Sequence, residues 1–115
     1  MEKKVKRCLL ELGITPNYVG FKYLCLAVLI VMEDMEKVTR VTKSLYPEVA
    51  AAYGVRGATV ERAIRTVVRE CWNHGNRELM EQILCQKLIA PPENARFIGA
   101  LSLYLTDRQD EIAFL

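Results

Sequence analysis

The sequence predicts an all-α domain of about six helices that contains a helix-turn-helix and no β-stranded wing. Three observations predict it. Apolar residues recur at steps of three and four along most of the 115 residues. No segment long enough for a β-strand alternates apolar and polar residues. Glycine, proline or asparagine marks the breaks between the helical segments. The length suits one domain, so we expect residues 1–115 to form a single unit.

The first helix is short, and Gly13 after it suits the left-handed residue that often follows a helix. Asn17 is the predicted N-cap of a long second helix over residues 18–34. That segment is apolar on nearly every face, which predicts a central, buried helix. The inward residues of the first helix are Val5, Cys8, Leu9 and Leu12.

A helical stripe continues from Met35 to Leu45, and Pro47 marks the first position of a third helix that ends at Gly54. The fourth helix is longer, spans residues 58–73 and stops at Gly75. Its predicted inner face consists of Val60, Ile64, Val67, Val68, Cys71 and Trp72.

Asn76 is the predicted cap of a fifth helix over residues 77–84. The segment "APPENA" reads as a loop, and Asn94 is the predicted cap of a last helix that ends near residues 106–110. The inward residues of these two helices are Leu79, Ile83, Leu84, Phe97, Ile98, Leu101 and Tyr104 or Leu105.

The cysteines and the apolar segments indicate the cellular compartment in which the protein resides. Four cysteines without a C-x-x-C pair predict buried, reduced thiols and therefore a cytoplasmic protein; they are Cys8, Cys25, Cys71 and Cys85. The basic start lacks the apolar core of a secretory signal. The most apolar run, Leu24–Met32, is far below the ~20 residues that a membrane span needs, so no membrane partner is expected.

The sequence contains no motif that predicts an enzyme. His74 is the only histidine, and its place at a helix end favours a capping or surface residue over a catalytic base. Glu33, Asp34 and Glu36 form a charged turn typical of a solvated helix boundary. Because no nucleophile motif, metal-ligand spacing or phosphate-binding glycine loop occurs, we expect no enzyme activity, no catalytic residues, no cofactor and no metal.

The joint at Gly54 satisfies the requirements of a helix-turn-helix. Such a motif needs a small residue for close approach, a sharp turn and apolar anchors that fix the angle between its helices. Ala50 is small, and Gly54 tolerates the positive φ of a tight turn. The predicted wedge between the helices consists of Val49, Tyr53, Val55, Val60 and Ala63 or Ile64.

The outward positions of the fourth helix are polar and basic. Thr59, Arg62, Thr66 and Arg69 follow helical steps, and Glu61 and Arg65 stand four residues apart beside them. With Arg56 and Arg77 nearby, positive charge exceeds negative charge locally, although the whole chain carries only +2. This pattern favours a double-stranded DNA partner, while an ordinary solvated helix face stays the alternative.

Three segments carry a family resemblance. "SLYPEVAAAYG", then "VERAIR" and a tryptophan followed by "GN", resemble the C-terminal effector domain of the sporulation response regulator (stage zero sporulation protein A) family. "LLELGITPNYVGFKYL" looks like the opening helices of that domain and "FIGALSLYL" like its last helix. The resemblance covers most of the chain, and "VERAIR" at this distance from "YPEVA" is its most specific part.

The resemblance implies a six-helix transcription regulator that reads promoter boxes with its fourth helix and can sit in tandem on DNA; a homodimer stays open as well. Glu61, Arg62 and Arg65 occupy the matching motif positions and are the expected base-reading residues. Arg62 or Arg65 would form two hydrogen bonds to guanine O6 and N7. Glu61 would accept a hydrogen bond from the amino group of cytosine or orient a neighbouring arginine. The local pattern adds candidates for phosphate contacts, namely Arg56, Thr59, Thr66 and Arg69.

The chain also departs from the family pattern. Where members of the family carry serine and arginine before the shared valine, this sequence has Ala58 and Thr59, and Thr66 replaces a histidine. No part resembles the phosphoacceptor receiver domain, which leaves an excised effector domain and a stand-alone paralogue both open. The alternative function is accordingly a protein-interaction module of the same fold that has lost specific DNA reading.

Overall fold

Helices make up nearly all of the regular structure. The computed structural model describes the backbone of residues 1–114 and the side chains of residues 1–106. Over that backbone the chain forms six α-helices and no β-strand, which confirms the predicted all-α class. The helices are α1 (Glu2–Glu11), α2 (Val19–Glu33), α3 (Tyr46–Tyr53), α4 (Gly57–His74), α5 (Arg77–Leu84) and α6 (Asn94–Phe114).

The long helix α2 lies at the centre of the fold, as its apolar sequence predicted. It packs against α1, α4 and α6, and its buried residues face several directions because neighbours cover it on several sides. Gly20 permits the closest of these approaches. A Cβ atom added there would lie 2.3 Å from the carbonyl oxygen of Ala63 in α4. The backbones of α2 and α4 are therefore in direct contact.

The junction between α4 and α5 rests on the end of α1. The Leu12 carbonyl accepts hydrogen bonds from the Asn76 N–H at 2.9 Å and from the Cys71 thiol at 3.4 Å. Gly75 lies between these donors with φ of −94°, so its backbone is not left-handed. A Cβ atom at Gly75 would lie 2.5 Å from the Leu12 carbonyl oxygen. The predicted helix stop is confirmed, and its cause is the close approach of α1.

Residues 35–45 are helical without being α-helical. Met35–Arg40 form a 3-10 helix and Val41–Leu45 a π-helical turn that leads into α3. The Tyr46 N–H donates to the Val41 carbonyl, five residues back. Pro47, in the first turn of α3 as predicted, accounts for this wide turn. Its ring would clash with the carbonyl four residues earlier in a regular α-helix, so the preceding turn opens.

One of the three predicted asparagine caps is correct. Asn76 accepts a hydrogen bond from the Leu79 N–H at 3.0 Å and so caps α5. The prediction for Asn17 is wrong, because α2 begins after Tyr18, whose extended backbone occupies the N-cap position. The side chain of Asn17 accepts instead from the Thr15 hydroxyl. Asn17 thus stabilises the turn before the helix.

The predicted cap at Asn94 is also wrong. The Glu93 carbonyl accepts the first helical hydrogen bond of α6, from the Phe97 N–H at 3.0 Å. Asn94 therefore lies inside the helix, where it is 8 % exposed, and its side-chain amide donates to the Glu61 carbonyl of α4 at 3.0 Å. A contact between distant elements has replaced the local cap.

The last helix, α6, covers one side of α2. The Ser102 hydroxyl, fully buried, donates to the Ile98 carbonyl at 2.7 Å and approaches the Val28 carbonyl of α2 at 3.4 Å. The helix continues to Phe114, beyond the predicted end near residues 106–110. No helix among the described residues is both long and apolar enough to cross a membrane. Over the side chains described, up to residue 106, the buried apolar residues of α6 are Phe97, Ile98, Leu101 and Leu105, whereas Tyr104 is half-buried.

The four cysteines are free thiols, but they are not all buried. Cys8, Cys25 and Cys71 lie in the core as predicted. The prediction is wrong for Cys85, which is exposed because it follows the last turn of α5 in a left-handed conformation with φ of 54°. Its side chain lies beyond the apolar face of that helix.

Candidate nucleic-acid interface

The turn between α3 and α4 has the geometry that the sequence predicted. Gly54 ends α3 with φ of 64° and ψ of 36°, the left-handed conformation that glycine adopts without steric cost. Nothing lies within 4 Å of a Cβ atom added there, so the backbone angle alone requires glycine. The Val55 N–H then donates to the Ala50 carbonyl at 3.0 Å and closes the turn. These features form the joint of a helix-turn-helix.

Apolar residues hold α3 and α4 together at this joint. Val49, Ala50, Val60 and Ile64 are buried, and Val55 and Ala63 are half-buried against them. Tyr53 does not belong to this wedge, although the sequence predicted that it would. It is 41 % exposed, and its ring packs edge-on against Tyr23 of α2 with centroids 5.3 Å apart. The side chain leaves the joint because it lies on the α2 side of α3.

Helix α4 has one buried face and one exposed face. Its buried residues match the predicted inner face, apart from Trp72, which is half-buried. Ala58, Arg62, Arg65, Thr66 and Arg69 are exposed on the other side, and Thr59 and Glu61 are half-buried beside them. The residues that the sequence predicted to read bases therefore share one accessible surface. We name this surface the reading face of α4 after that prediction; it consists of Ala58, Thr59, Glu61, Arg62, Arg65, Thr66 and Arg69.

Glu61 and Arg65 form an ion pair on the reading face. The Arg65 Nη1 lies 3.1 Å from Glu61 Oε1, and Arg65 Nη2 donates to Glu61 Oε2 at 3.2 Å. Two parallel contacts of this kind fix the orientation of a guanidinium group. Because the side chains are partly exposed, we assign the pair only a few tenths of a kcal/mol of stability. Its main consequence is the orientation of Arg65.

The other polar residues of the reading face differ in how far their donors are engaged. Arg62 Nε lies 3.4 Å from the Ala58 carbonyl, a weak contact that leaves most of the guanidinium exposed. The Thr66 hydroxyl donates to the Arg62 carbonyl at 3.0 Å, so its single proton is already used. Arg56 occupies the N-cap position of α4, and Arg69 is exposed one turn beyond Arg65.

Arg77, part of the predicted local positive charge, is bound elsewhere. Its Cζ lies 3.6 Å from the centre of the Trp72 ring, and Nε and Nη2 donate to the Trp72 carbonyl at 3.2 and 2.9 Å. The side chain thus satisfies a carbonyl at the end of α4, which a helix terminus otherwise leaves open. Arg77 contributes to the α4–α5 junction rather than to the reading face.

A comparison with known families agrees with this geometry. Residues 5–105 match the family described as "Sporulation initiation factor Spo0A C terminal", a match that includes α1 through most of α6. The chain belongs to this family. The Spo0A C-terminal family is one of DNA-binding effector domains of a sporulation regulator, not of enzymes, and the all-helical architecture agrees with the membership.

Beside the reading face of this Spo0A-type domain lies a cleft that the sequence did not predict. It has a volume of about 430 Å³, and its lining includes Tyr46, Glu61, Arg65, Arg69 and Asn94. Within the described side chains, no group of three or more His, Cys, Asp or Glu residues is placed to hold a metal ion. The cleft combines side chains of both charges, Arg65 and Arg69 with Glu61 and Glu93, and neutral polar groups from Tyr46 and Asn94.

Tyr46 and Asn94 line the cleft from α3 and α6. Burial raises the pKa of the Tyr46 hydroxyl, and the neighbouring Asn94 side chain partly offsets the rise. Tyr46 belongs to the "YPEVA" segment of the family resemblance and Asn94 was predicted to be a cap, but neither pattern indicates that the two residues meet beside α4. The sequence features that could have drawn attention to them are the position of Tyr46 directly before the proline of α3 and that of Asn94 at the predicted start of α6.

Proposed function

We propose that this chain binds double-stranded DNA sequence-specifically, with α4 in the major groove. The reading face carries the proposal, because it presents exposed arginines on a helix whose opposite side is anchored in the core. A helix of ~10–12 Å diameter fits the major groove, which is ~12 Å wide. Glu61, Arg62 and Arg65 are the proposed base-reading residues.

The ion pair supports distinct roles for Glu61 and Arg65. Arg65 Nη2 donates to Glu61 and Nη1 lies at ion-pair distance from it; a guanidinium has five N–H groups, so at least three stay available. Arginine with two free donors binds O6 and N7 of guanine. Glu61 holds that guanidinium in place, which favours its orienting role over acceptance from cytosine. Arg62, one turn earlier, reaches an adjacent base pair.

Phosphate contacts would fix the register of α4 on the duplex. Arg56 and Thr59 lie in or before its first turn, where the positive end of the helix dipole favours anions. Arg69 lies further along the exposed side. Thr66 would join them only after its hydroxyl leaves the Arg62 carbonyl. These four positions are the proposed phosphate contacts.

The decisive experiment compares a duplex containing a promoter box of this family with a scrambled duplex by mobility shift at physiological salt. We expect clear preference for the box. Arg65→Ala should weaken box binding by about 1–3 kcal/mol, roughly 5- to 150-fold, with little effect on the scrambled duplex. Arg7→Ala, which removes the same charge from an exposed position on α1, is the matched control.

Equal, weak binding to both duplexes would refute the proposal. Absence of any retardation, together with co-purification of a protein partner, would instead support an interaction module of the same fold. Two boxes on one duplex test the tandem arrangement. Occupancy of the second box at a lower protein concentration than of an isolated box would support contact between adjacent copies, or homodimer formation on DNA.

A further inference from the structure

A polar network of Asn94, Tyr46 and the Glu61 carbonyl ties the reading face to two other helices. Asn94 at the start of α6 donates from Nδ2 to the Glu61 carbonyl at 3.0 Å, across 33 residues of sequence. Its side chain also lies beside the hydroxyl of Tyr46 in α3, in the cleft that the two residues line. Asn94 is 8 % and Tyr46 5 % exposed, so both side chains are largely shielded from water although they line the cleft. The three helices thus meet at one polar point.

The bond to Glu61 is unusual because a carbonyl inside an α-helix already accepts a hydrogen bond from the residue four positions later. That position is Arg65, within α4. A second donor from another helix adds no local helical stability but fixes the position of this turn against α6. The turn carries both members of the ion pair on the reading face.

We propose that Asn94 is a positioning residue for DNA reading, acting with Tyr46 to hold the Glu61–Arg65 turn of α4 at a fixed distance from α3 and α6. The inference rests on the proposed function. Base recognition by arginine depends on placement, since a guanidinium displaced by about 1 Å loses one of its two base contacts. Asn94 itself is not a proposed DNA contact, because its side chain is 8 % exposed and its amide is bonded to the Glu61 carbonyl.

The network predicts loss of discrimination rather than loss of general affinity. Asn94→Ala should reduce box binding about 5- to 10-fold, leave scrambled-duplex binding within twofold and keep the salt dependence unchanged, because no phosphate contact is removed. Tyr46→Phe deletes only the hydroxyl and should reduce box binding about twofold. It also serves as the deciding variant if Asn94→Ala fails to fold.

Ser102→Ala is the matched control. It removes another buried polar side chain from α6, one that bonds toward α2 instead of α4. Affinities are measured at a temperature at which circular dichroism shows every variant to be folded. We expect Ser102→Ala to lower stability without changing the ratio of box to scrambled binding. An equal change in that ratio for Ser102→Ala and Asn94→Ala would reduce Asn94 to a general stabilising role and overturn the inference.

A double variant tests whether Asn94 acts through the ion-pair turn. If it does, Asn94→Ala combined with Arg65→Ala should bind the box no more weakly than Arg65→Ala alone. Additive losses would overturn the inference, as would full discrimination by both Asn94→Ala and Tyr46→Phe. Equal binding of both duplexes by the unsubstituted protein would instead refute the proposed function and this inference with it. The two failures are therefore distinguishable.

Discussion

Replacement of Gly20 by alanine should destabilise the protein, although alanine normally favours a helix. Gly20 lies in the first turn of α2, and an added Cβ atom would lie 2.3 Å from the carbonyl oxygen and 2.8 Å from the carbonyl carbon of Ala63. Both are backbone atoms of α4, so no side-chain rotation relieves the overlap. One of the two helices has to move.

The size of the effect follows from the distances. Ordinary contact begins near 3.4 Å, so the helices must separate by about 1 Å at this point. Overpacking of this kind costs about 1–3 kcal/mol, and alanine returns about 0.5–1 kcal/mol of helix propensity. The expected net loss is about 1–2 kcal/mol. Because α4 carries the reading face, box binding should weaken as well.

Urea unfolding followed by circular dichroism measures the loss. With a slope of about 1–3 kcal/mol per molar, the midpoint should fall by roughly 1 M. Gly57→Ala is the control, because the nearest atom to its added Cβ lies at 3.7 Å, an ordinary contact. It should leave stability unchanged or raise it by up to about 1 kcal/mol. Equal midpoints for Gly20→Ala and the unsubstituted protein would refute the reasoning.

Two further predictions concern Cys71 and Arg77. Burial raises the pKa of the Cys71 thiol from 9.0 to about 11. The unfolded chain therefore loses this proton at a lower pH than the folded protein. The free energy of unfolding should be constant below about pH 9 and fall by up to about 2 kcal/mol toward pH 11. Urea midpoints across that range should depend less on pH in Cys71→Ala, and identical slopes would contradict the assignment. Arg77→Gln should lower the free energy of unfolding by about 1 kcal/mol through loss of the Trp72 contacts, yet keep box affinity within twofold by mobility shift; a larger loss would place Arg77 on the DNA.

The helices of this fold could be predicted because their signals are local. Apolar spacing located all six, and Pro47, Gly54 and Gly75 marked their boundaries correctly. Such signals report which side of a helix is buried without knowledge of its partner. They could not distinguish α-helical from 3-10 and π-helical turns over Met35–Leu45, since all three place apolar residues at similar steps.

The sequence predictions were wrong at residues whose contacts come from a distant part of the chain. Asn94 has the chemistry of a cap, but the Glu61 carbonyl lies within its reach only after α4 and α6 have packed. Tyr53 has the spacing of a wedge residue, but a tyrosine in α2 gives its ring another partner. The reading face could be predicted as a pattern, whereas the Glu61–Arg65 contact needed side-chain geometry, and the network behind it needed the tertiary fold.

The stacked pair at the end of α4 provides an intrinsic spectroscopic reporter. Trp72 is the only tryptophan, so all indole emission comes from one site. It lies ten residues after Arg62, about 15 Å along the helix axis, and the Arg77 guanidinium covers its ring. Its fluorescence therefore reports the state of the junction between α4 and α5 without a dye. Because Arg69, a proposed phosphate contact, lies three residues before Trp72, a duplex bound along α4 should alter that signal.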